Sequence, residues 1–148
     1  MASAKDVLLV CTVLVCALAL VMGGFSTGAV SLEQSPYKIV ISEICTKNDT
    51  IIADNDGKYR DYIELYNSGD PVNLEGFALT HGKVTCYPFG SAVLGTGEYR
   101  LVFLGDSLTG FALGASGGDC IQLQDSDGVI VAQANTAAVL DDQVMLYR

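Results

Sequence analysis

The chain has 148 residues, half of them apolar, with 16 glycines and no tryptophan. This length is enough for a leader and one domain, and so many glycines are typical of a β-rich chain with many turns. The formal net charge is −9, and residues 37–148 carry 7 basic and 15 acidic side chains. Because nucleic-acid binding depends mainly on Lys and Arg at phosphates, the composition argues against it. A cationic ligand, a metal ion or a basic partner surface is electrostatically easier.

The N-terminal segment is hydrophobic. Residues 7–22 contain no charge, and Lys5 is the single basic side chain ahead of them. Thr27-Gly28-Ala29 offers small residues for cleavage after Ala29. The apolar length lies between that of a signal peptide and that of a minimal membrane span. Residues 1–29 are therefore predicted to form a hydrophobic helix, either a signal peptide or an uncleaved membrane anchor.

Residues 30–36 are predicted to be a linker that precedes a single domain at residues 37–148. Both interpretations of the leader place this domain outside the cytoplasmic membrane, either secreted or anchored in the cell membrane by the N-terminal segment. An uncleaved segment would also make the membrane itself a binding partner.

Short strands separated by Gly, Asn, Asp and Pro follow the linker. They are predicted at residues 37–44, 61–67, 77–81, 83–89, 98–104, 120–123, 129–132 and 144–147. The pattern also allows a short helical turn at residues 135–140. This spacing of strands, with no sustained helical period, predicts an all-β sandwich.

Alternation along the first strand predicts its two faces. Ile39 and Ile41 are expected on one face, and Val40, Ser42 and Ile44 on the other. The prediction assumes that the two-residue period continues without interruption through the strand.

The second predicted strand, residues 61–67, has a regular alternation. Ile63 and Leu65 form its predicted buried face, and Tyr62, Glu64 and Tyr66 point the other way. A solvent-exposed face of this kind is a natural interaction surface, because aromatic residues are enriched at interfaces. The alternative is that Tyr62 is buried and fills the core, which we favour for Tyr62 and leave open for Tyr66.

Four segments resemble the lamin-tail domain family in its secreted or membrane-attached bacterial form. They occur in the family's order: IVISEI at 39–44, DYIELYN at 61–67, GEYRLVFL at 97–104 and GDCIQL at 118–123. A fifth, GFALT at 76–80, follows the second at the family's spacing. The resemblance implies an immunoglobulin-like β-sandwich that acts as a non-catalytic interaction module.

The chain also departs from the family pattern. Tyr62 stands where the family usually has Trp, and the turn at residues 88–92 differs from the usual sequence. Family members commonly continue beyond the position of Arg148. We therefore expect that this member is truncated and that a sheet edge is unpaired, which invites pairing with another chain.

The loop sequence Asp54-Asn55-Asp56-Gly57 suggests calcium, because hard cations prefer carboxylate oxygens. Asp49 and Asp61 lie near enough in sequence to add ligands to Asp54 and Asp56. The spacing does not match an EF-hand, and a plain turn explains the same residues. Residues 125–128 have the same ambiguity and a stronger hairpin explanation.

No set of residues predicts catalysis. Residues 114–118 match the G-x-S-x-G pattern around Ser116, but a strand rather than a helix is predicted after them. The only His, His81, precedes this segment and is expected to be solvated. A flexible turn is the better interpretation of residues 114–118, and the chain is predicted not to be an enzyme.

Cys45, Cys86 and Cys120 are the thiols outside the leader, and an odd number cannot all pair within the chain. They are expected to behave as small buried apolar side chains, with one disulfide left open. Residues 48–50 form a glycosylation sequon at Asn48 that matters only in a eukaryotic secretory pathway.

The sequence therefore predicts a binding or scaffolding module at the cell surface or cell wall, with a protein or a cell-wall component as its partner. One alternative is an accessory domain of a secreted hydrolase or nuclease whose catalytic part is missing or supplied in trans. A second alternative is a calcium-binding surface domain. No other cofactor is predicted.

Overall fold

The computed structural model describes residues 35–105 and 111–147, which form ten β-strands. In sequence order they are β1 (Ile39–Cys45), β2 (Tyr62–Asn67), β3 (Val72–Asn73), β4 (Ala78–His81), β5 (Val84–Pro88), β6 (Val93–Leu94), β7 (Tyr99–Phe103), β8 (Cys120–Gln124), β9 (Ile130–Asn135) and β10 (Met145–Leu146). Within these ranges no helix could span a membrane. The predicted leader at residues 1–29 lies outside the described residues.

The strands form two four-stranded sheets and one small sheet, all antiparallel. The first sheet has the order β10-β1-β2-β7, and the second has the order β5-β4-β8-β9. Strands β3 and β6 pair as a two-stranded sheet. This arrangement of two antiparallel sheets around a shared core confirms the predicted all-β sandwich.

The eight predicted strands all occur, with ends shifted by a few residues. Strands β3 and β6 were not predicted, because two residues are too few to show alternation. The predicted helical turn at residues 135–140 is wrong. Asn135 ends β9, and the Thr136 N–H donates to the Asp119 carbonyl, so strand pairing continues where a helix was expected.

Both sheets contribute to one core. Its members are Ile39, Ile41, Ile44, Ile63, Leu65, Leu74, Phe77, Leu79, Cys86, Phe89, Leu94, Val102, Leu104, Leu113, Ile121, Leu123 and Ala134. Ile63 and Leu65 are fully buried, as their alternation predicted. Burying each side chain of this size stabilises the fold by roughly 1.5–3 kcal/mol relative to exposure.

A β-bulge in β1 changes the predicted faces of that strand. Ile41 pairs with Leu65 but Glu43 pairs with Glu64, so Ser42 is an extra residue in the ladder. An extra residue shifts the alternation by one position. Ile44 is therefore fully buried, opposite Ile63, and its prediction on the face away from Ile39 is wrong.

Asn67 is a fully buried polar residue at the end of β2. Its Nδ2 donates to the carbonyls of Asp70 at 2.8 Å and Leu94 at 3.0 Å, and its Oδ1 accepts from the Gly69 N–H at 2.9 Å. The side chain thereby joins the turn after β2 to the end of β6. Every one of these backbone groups would need another partner if the amide were removed.

We expect Asn67→Ala to lower the free energy of unfolding by about 2–4 kcal/mol, because it leaves buried backbone groups without partners. Chemical denaturation monitored by circular dichroism would measure the change. Asn55→Ala is the matched control, since Asn55 is exposed and should change stability by less than about 0.5 kcal/mol. Equal stabilities for the two variants would contradict the assigned role of Asn67.

Candidate interaction surface

The outer face of the first sheet, away from the core, carries apolar and aromatic side chains. Strand register aligns Val40, Tyr66 and Tyr99 in one row. The neighbouring row contains Glu64 and Leu101, and Leu146 of β10 extends it at the other edge. We call this surface the aromatic face, defined by Val40, Glu64, Tyr66, Tyr99, Leu101 and Leu146.

Water reaches most of the aromatic face. Tyr99 is 62% exposed, Leu146 63% and Val40 44%. Single exposed apolar residues are ordinary, but neighbouring ones in register indicate an interaction site. Together they line a groove of about 450 Å³ that also includes Glu64 and Tyr66.

Tyr66 and Tyr99 pack against each other across β2 and β7. Their ring centroids lie 4.6 Å apart at an interplanar angle of 33°. Such a pair restricts both rings before any partner arrives, so less side-chain entropy is lost on binding. Tyr66 is partly buried, and both rings line the groove.

Glu64 is a carboxylate near the centre of the aromatic face, and Glu43 lies beside it in the same row, between Glu64 and Leu146. Its Oε1 accepts a hydrogen bond from the Ser42 hydroxyl at 2.8 Å, and the bulge places Ser42 for this contact. Among the described residues no basic side chain forms an ion pair with Glu64. A carboxylate has about four acceptor positions, so Glu64 retains capacity for a cationic donor.

Tyr62 points to the same side of the sheet but is only 2% exposed. Its hydroxyl donates to Glu43, and its ring packs edge-on against Phe103 with centroids 6.1 Å apart. Burial, reinforced by the hydrogen bond to Glu43, raises the pKa of Tyr62. The predicted burial of Tyr62 is confirmed, although Tyr62 lies outside the core between the sheets.

The outer face of the second sheet differs in chemistry. Register aligns Thr80, Gln122 and Gln133 there, and the Gln122 amide donates to the Gln133 side chain at 2.8 Å. Gln122 and Gln133 belong to an ordinary solvated surface, whereas Thr80 is only 6% exposed. The aromatic face is therefore a property of one sheet, and not of the sandwich as a whole.

The two Asp-x-Asp-Gly segments form the same turn. Asp54 Oδ1 accepts from the backbone N–H groups of Asp56 and Lys58, and Asp125 Oδ1 accepts likewise from Asp127 and Val129. These hydrogen bonds hold the pKa of Asp54 below its usual range, with Lys58 as the largest contributor. The turn interpretation of both segments is confirmed.

The other calcium candidates are used differently. The Asp61 carboxylate accepts from the Leu113 N–H at 3.1 Å, and partial burial raises the pKa of Asp61. Asp54 forms an ion pair with Arg60, and Asp56 and Asp49 are exposed. Across residues 35–105 and 111–147, no group of three or more carboxylate, His or Cys side chains could hold a metal ion. Calcium binding stays a prediction.

Asp142 is a structural residue that sequence analysis missed. Its carboxylate accepts from the N–H groups of Asp49 and Thr50 at 2.8 Å and from the Thr50 hydroxyl at 2.6 Å. The Thr50 contacts lower the pKa of Asp142. Its backbone has a φ of 56°, a left-handed conformation that Asp and Asn tolerate better than most residues.

The segment around Ser116 is a turn, as predicted. The Gly117 N–H donates to the Gly114 carbonyl at 3.1 Å, and strand β8 follows where a nucleophile elbow would need a helix. His81 is not merely solvated, because its Nε2 lies 3.3 Å from Asp119 Oδ1. No hydrogen bond joins Ser116 to His81 among the described residues.

The three thiols outside the leader are free. Cys45 and Cys86 are buried and Cys120 is partly buried. Burial raises the pKa of Cys86 to about 11, which keeps this thiol protonated and unreactive near neutral pH. The sequon residue Asn48 is 4% exposed, and its Nδ2 donates to two carbonyls at 2.7 Å. A glycan at Asn48 is incompatible with these bonds.

Two packed antiparallel sheets around one core define an immunoglobulin-like β-sandwich. The family model for the Lamin Tail Domain matches residues 33–138, and the chain belongs to this family. The resemblance drawn from its four ordered segments is thereby confirmed for the family, and the secreted or membrane-attached bacterial form stays a prediction. No match was found among curated proteins or among solved structures.

The sequence identified two of the six residues of the aromatic face. Glu64 and Tyr66 were candidates, and Tyr62 is buried on the same side of the sheet. Val40, Tyr99 and Leu146 were missed, because their association depends on which strands pair and in which register. The strand predicted at residues 98–104 contains Tyr99 and Leu101, which was the only available signal.

We expect Asp142→Asn to lower the melting temperature at neutral pH, because Asn keeps the left-handed backbone but loses the charged acceptor. The lowered folded-state pKa stabilises the protein above the unfolded value of about 3.9 and ceases to do so as the pH falls through the folded value. The difference from the wild-type chain should therefore shrink in acid.

Melting scans between about pH 6 and pH 3 would measure this difference. Asp141→Asn is the control, since Asp141 pairs with Lys47 on the exposed surface and such pairs contribute little. A gap between the Asp142→Asn and wild-type proteins that stays constant down to the lowest pH would contradict the carboxylate's role.

Proposed function

We propose that this chain is a non-catalytic, extracytoplasmic binding module that holds a partner protein at the cell surface or cell wall. The aromatic face is the observation that carries the proposal. It combines exposed Tyr99 and Leu146 with a carboxylate, Glu64, that has no ion-pair partner among residues 35–105 and 111–147. The partner is a protein surface that presents a basic side chain.

The chemistry of the face supports a cationic contact. An ammonium or guanidinium group above Tyr66 and Tyr99 would meet the negative faces of the rings, and its N–H groups could reach Glu64. The domain as a whole has 15 acidic and 7 basic side chains from residue 37 onward. Such an excess attracts basic partners and accelerates their association at low ionic strength.

The proposed location depends on the leader. An uncharged stretch at residues 7–22 behind Lys5 is typical of export by a signal peptide or an N-terminal anchor. Either outcome would place the aromatic face outside the cytoplasmic membrane. The free thiols are compatible with this location, because Cys45 and Cys86 are buried from oxidants.

The experiment captures partners from the host's extracellular proteins and cell-wall fraction on the full-length chain in mild detergent, at low and moderate salt. The Kd of a saturable partner is then measured for variants of the aromatic face. Tyr99→Thr retains strand propensity and removes the ring. Glu64→Gln removes the charge and keeps the size.

We expect Tyr99→Thr to weaken binding by roughly tenfold, because aromatic residues dominate interface energies. Glu64→Gln should weaken it at low salt and flatten the salt dependence. Tyr59→Thr is the matched control, since Tyr59 is 50% exposed but lies in the loop before β2. Affinity that is unchanged in both face variants would refute the proposal.

A further inference from the structure

Strand β7 is an edge of the first sheet, and one side of its backbone is open. The Leu104 N–H donates to the Asp61 carbonyl and the Asn67 N–H to the Glu98 carbonyl, so even-numbered residues of this strand face β2. Antiparallel strands alternate these groups. The N–H and carbonyl groups of Tyr99, Leu101 and Phe103 therefore point away from the sheet. They have no backbone partner among the described residues.

The other edges are less suited to pairing. Strand β10 has two residues, and β5 ends at Pro88 and pairs with β4 through a bulge. Strand β9 pairs with β8 through another bulge, and the Tyr147 hydroxyl already donates to the Asn135 carbonyl. Short strands, Pro and bulges are the usual means of protecting an edge. Strand β7 has none of these three features at residues 99–103, although Arg100, opposite the buried Leu65, places a charge on its core-facing side.

A cleft of about 340 Å³ runs beside the open edge. Residues 101–103 of β7 form one side, and Tyr87 and the turn that contains Asp54 and Asp56 form the other. An added strand lies about 4.8 Å from its neighbour and needs open space of this kind along the edge.

The charge of the cleft selects its occupant. Arg60 lies 3.0 Å from the Asp54 carboxylate and 3.7 Å from Asp56, so one cation faces two carboxylates. The Asp56 side chain is 71% exposed and available to a second cation. A second copy of this acidic chain would bring like charges together, whereas a basic segment would neutralise them.

We propose that the β7 edge is a strand-addition site for an extended segment of a partner protein that carries a basic side chain. The segment pairs with Tyr99, Leu101 and Phe103 through backbone hydrogen bonds and continues the first sheet. Its basic side chain meets Asp56. The proposal rests on the proposed function in that it specifies how a protein partner of this module binds.

Leu101→Pro tests the mode of binding. Proline at this position removes an N–H that points outward, so the ladder between β7 and β2 keeps its own bonds. Leu101→Ala is the reference variant, because it shortens the same side chain of the aromatic face and retains the N–H, so the difference between the two variants reports the N–H. Asp56→Asn tests the charge, with Asp70→Asn as a control at an exposed carboxylate away from the cleft.

The probe is a synthetic extended peptide of about ten residues, with alternating Val and Thr and two Arg substitutions. The same peptide with Glu in place of Arg is the control peptide. Both are titrated against the full-length chain in mild detergent. Hydrogen exchange at Leu101 and Phe103 is followed in the wild-type chain, so the test does not depend on the folding of any variant.

We expect the Arg peptide to bind, the Glu peptide to bind at least tenfold more weakly, and the amides of Leu101 and Phe103 to exchange more slowly on binding. Leu101→Pro should weaken binding at least tenfold more than Leu101→Ala does. Asp56→Asn should weaken it several-fold and Asp70→Asn should not.

Unchanged exchange at Leu101 and Phe103 with saturating Arg peptide would overturn the proposal. So would equal affinity for both peptides, or a chain that dimerises through Leu101 and excludes the peptide. A captured partner that loses affinity for Tyr99→Thr and binds Leu101→Pro normally would overturn the strand-addition site on β7 and leave the proposed function intact. If Tyr99→Thr and Glu64→Gln both bind the captured partner as the wild-type chain does, the proposed function itself is refuted.

Discussion

The register between β1 and β2 is the constraint on which the rest of this structure depends. One extra residue, Ser42, lets Ile41 and Ile44 both enter the core although an odd number of positions separates them. The same residue hydrogen-bonds Glu64 on the opposite side of the sheet. A one-residue slip would bury Glu64 and expose Ile63, at a cost of several kcal/mol for the charge alone.

Surface chemistry follows from that register. Once Ile63 and Leu65 are buried, Glu64 and Tyr66 must point outward, and pairing with β7 brings Tyr99 onto Tyr66. Apolar residues fill the core between the sheets, and further apolar and aromatic residues remain exposed on the outer side of the first sheet. Neighbouring exposed apolar residues of this kind are typical of an interaction site.

Polar residues in the loops hold the frame around these sheets. Asn67 is buried and Asp142 is partly exposed, yet each satisfies backbone groups of distant segments. Two of the four carboxylates that suggested calcium, Asp54 and Asp61, accept hydrogen bonds from backbone N–H groups of their own turn or of a neighbouring loop. The side-chain oxygens of these loops stabilise the fold, because each unsatisfied backbone N–H in a tight turn would cost about 1–3 kcal/mol.

The all-β class, eight of the ten strands, the buried face of β2 and the family were determined by the sequence, because alternation and turn residues act over a few positions. Tertiary structure alone decided the bulge at Ser42, the short strands β3 and β6, the hydrogen bonds of Asp142 to residues 49 and 50, and the open edge of β7. Their partners lie tens of residues away. Such contacts form only after the sheets select a register, and no local pattern records that choice.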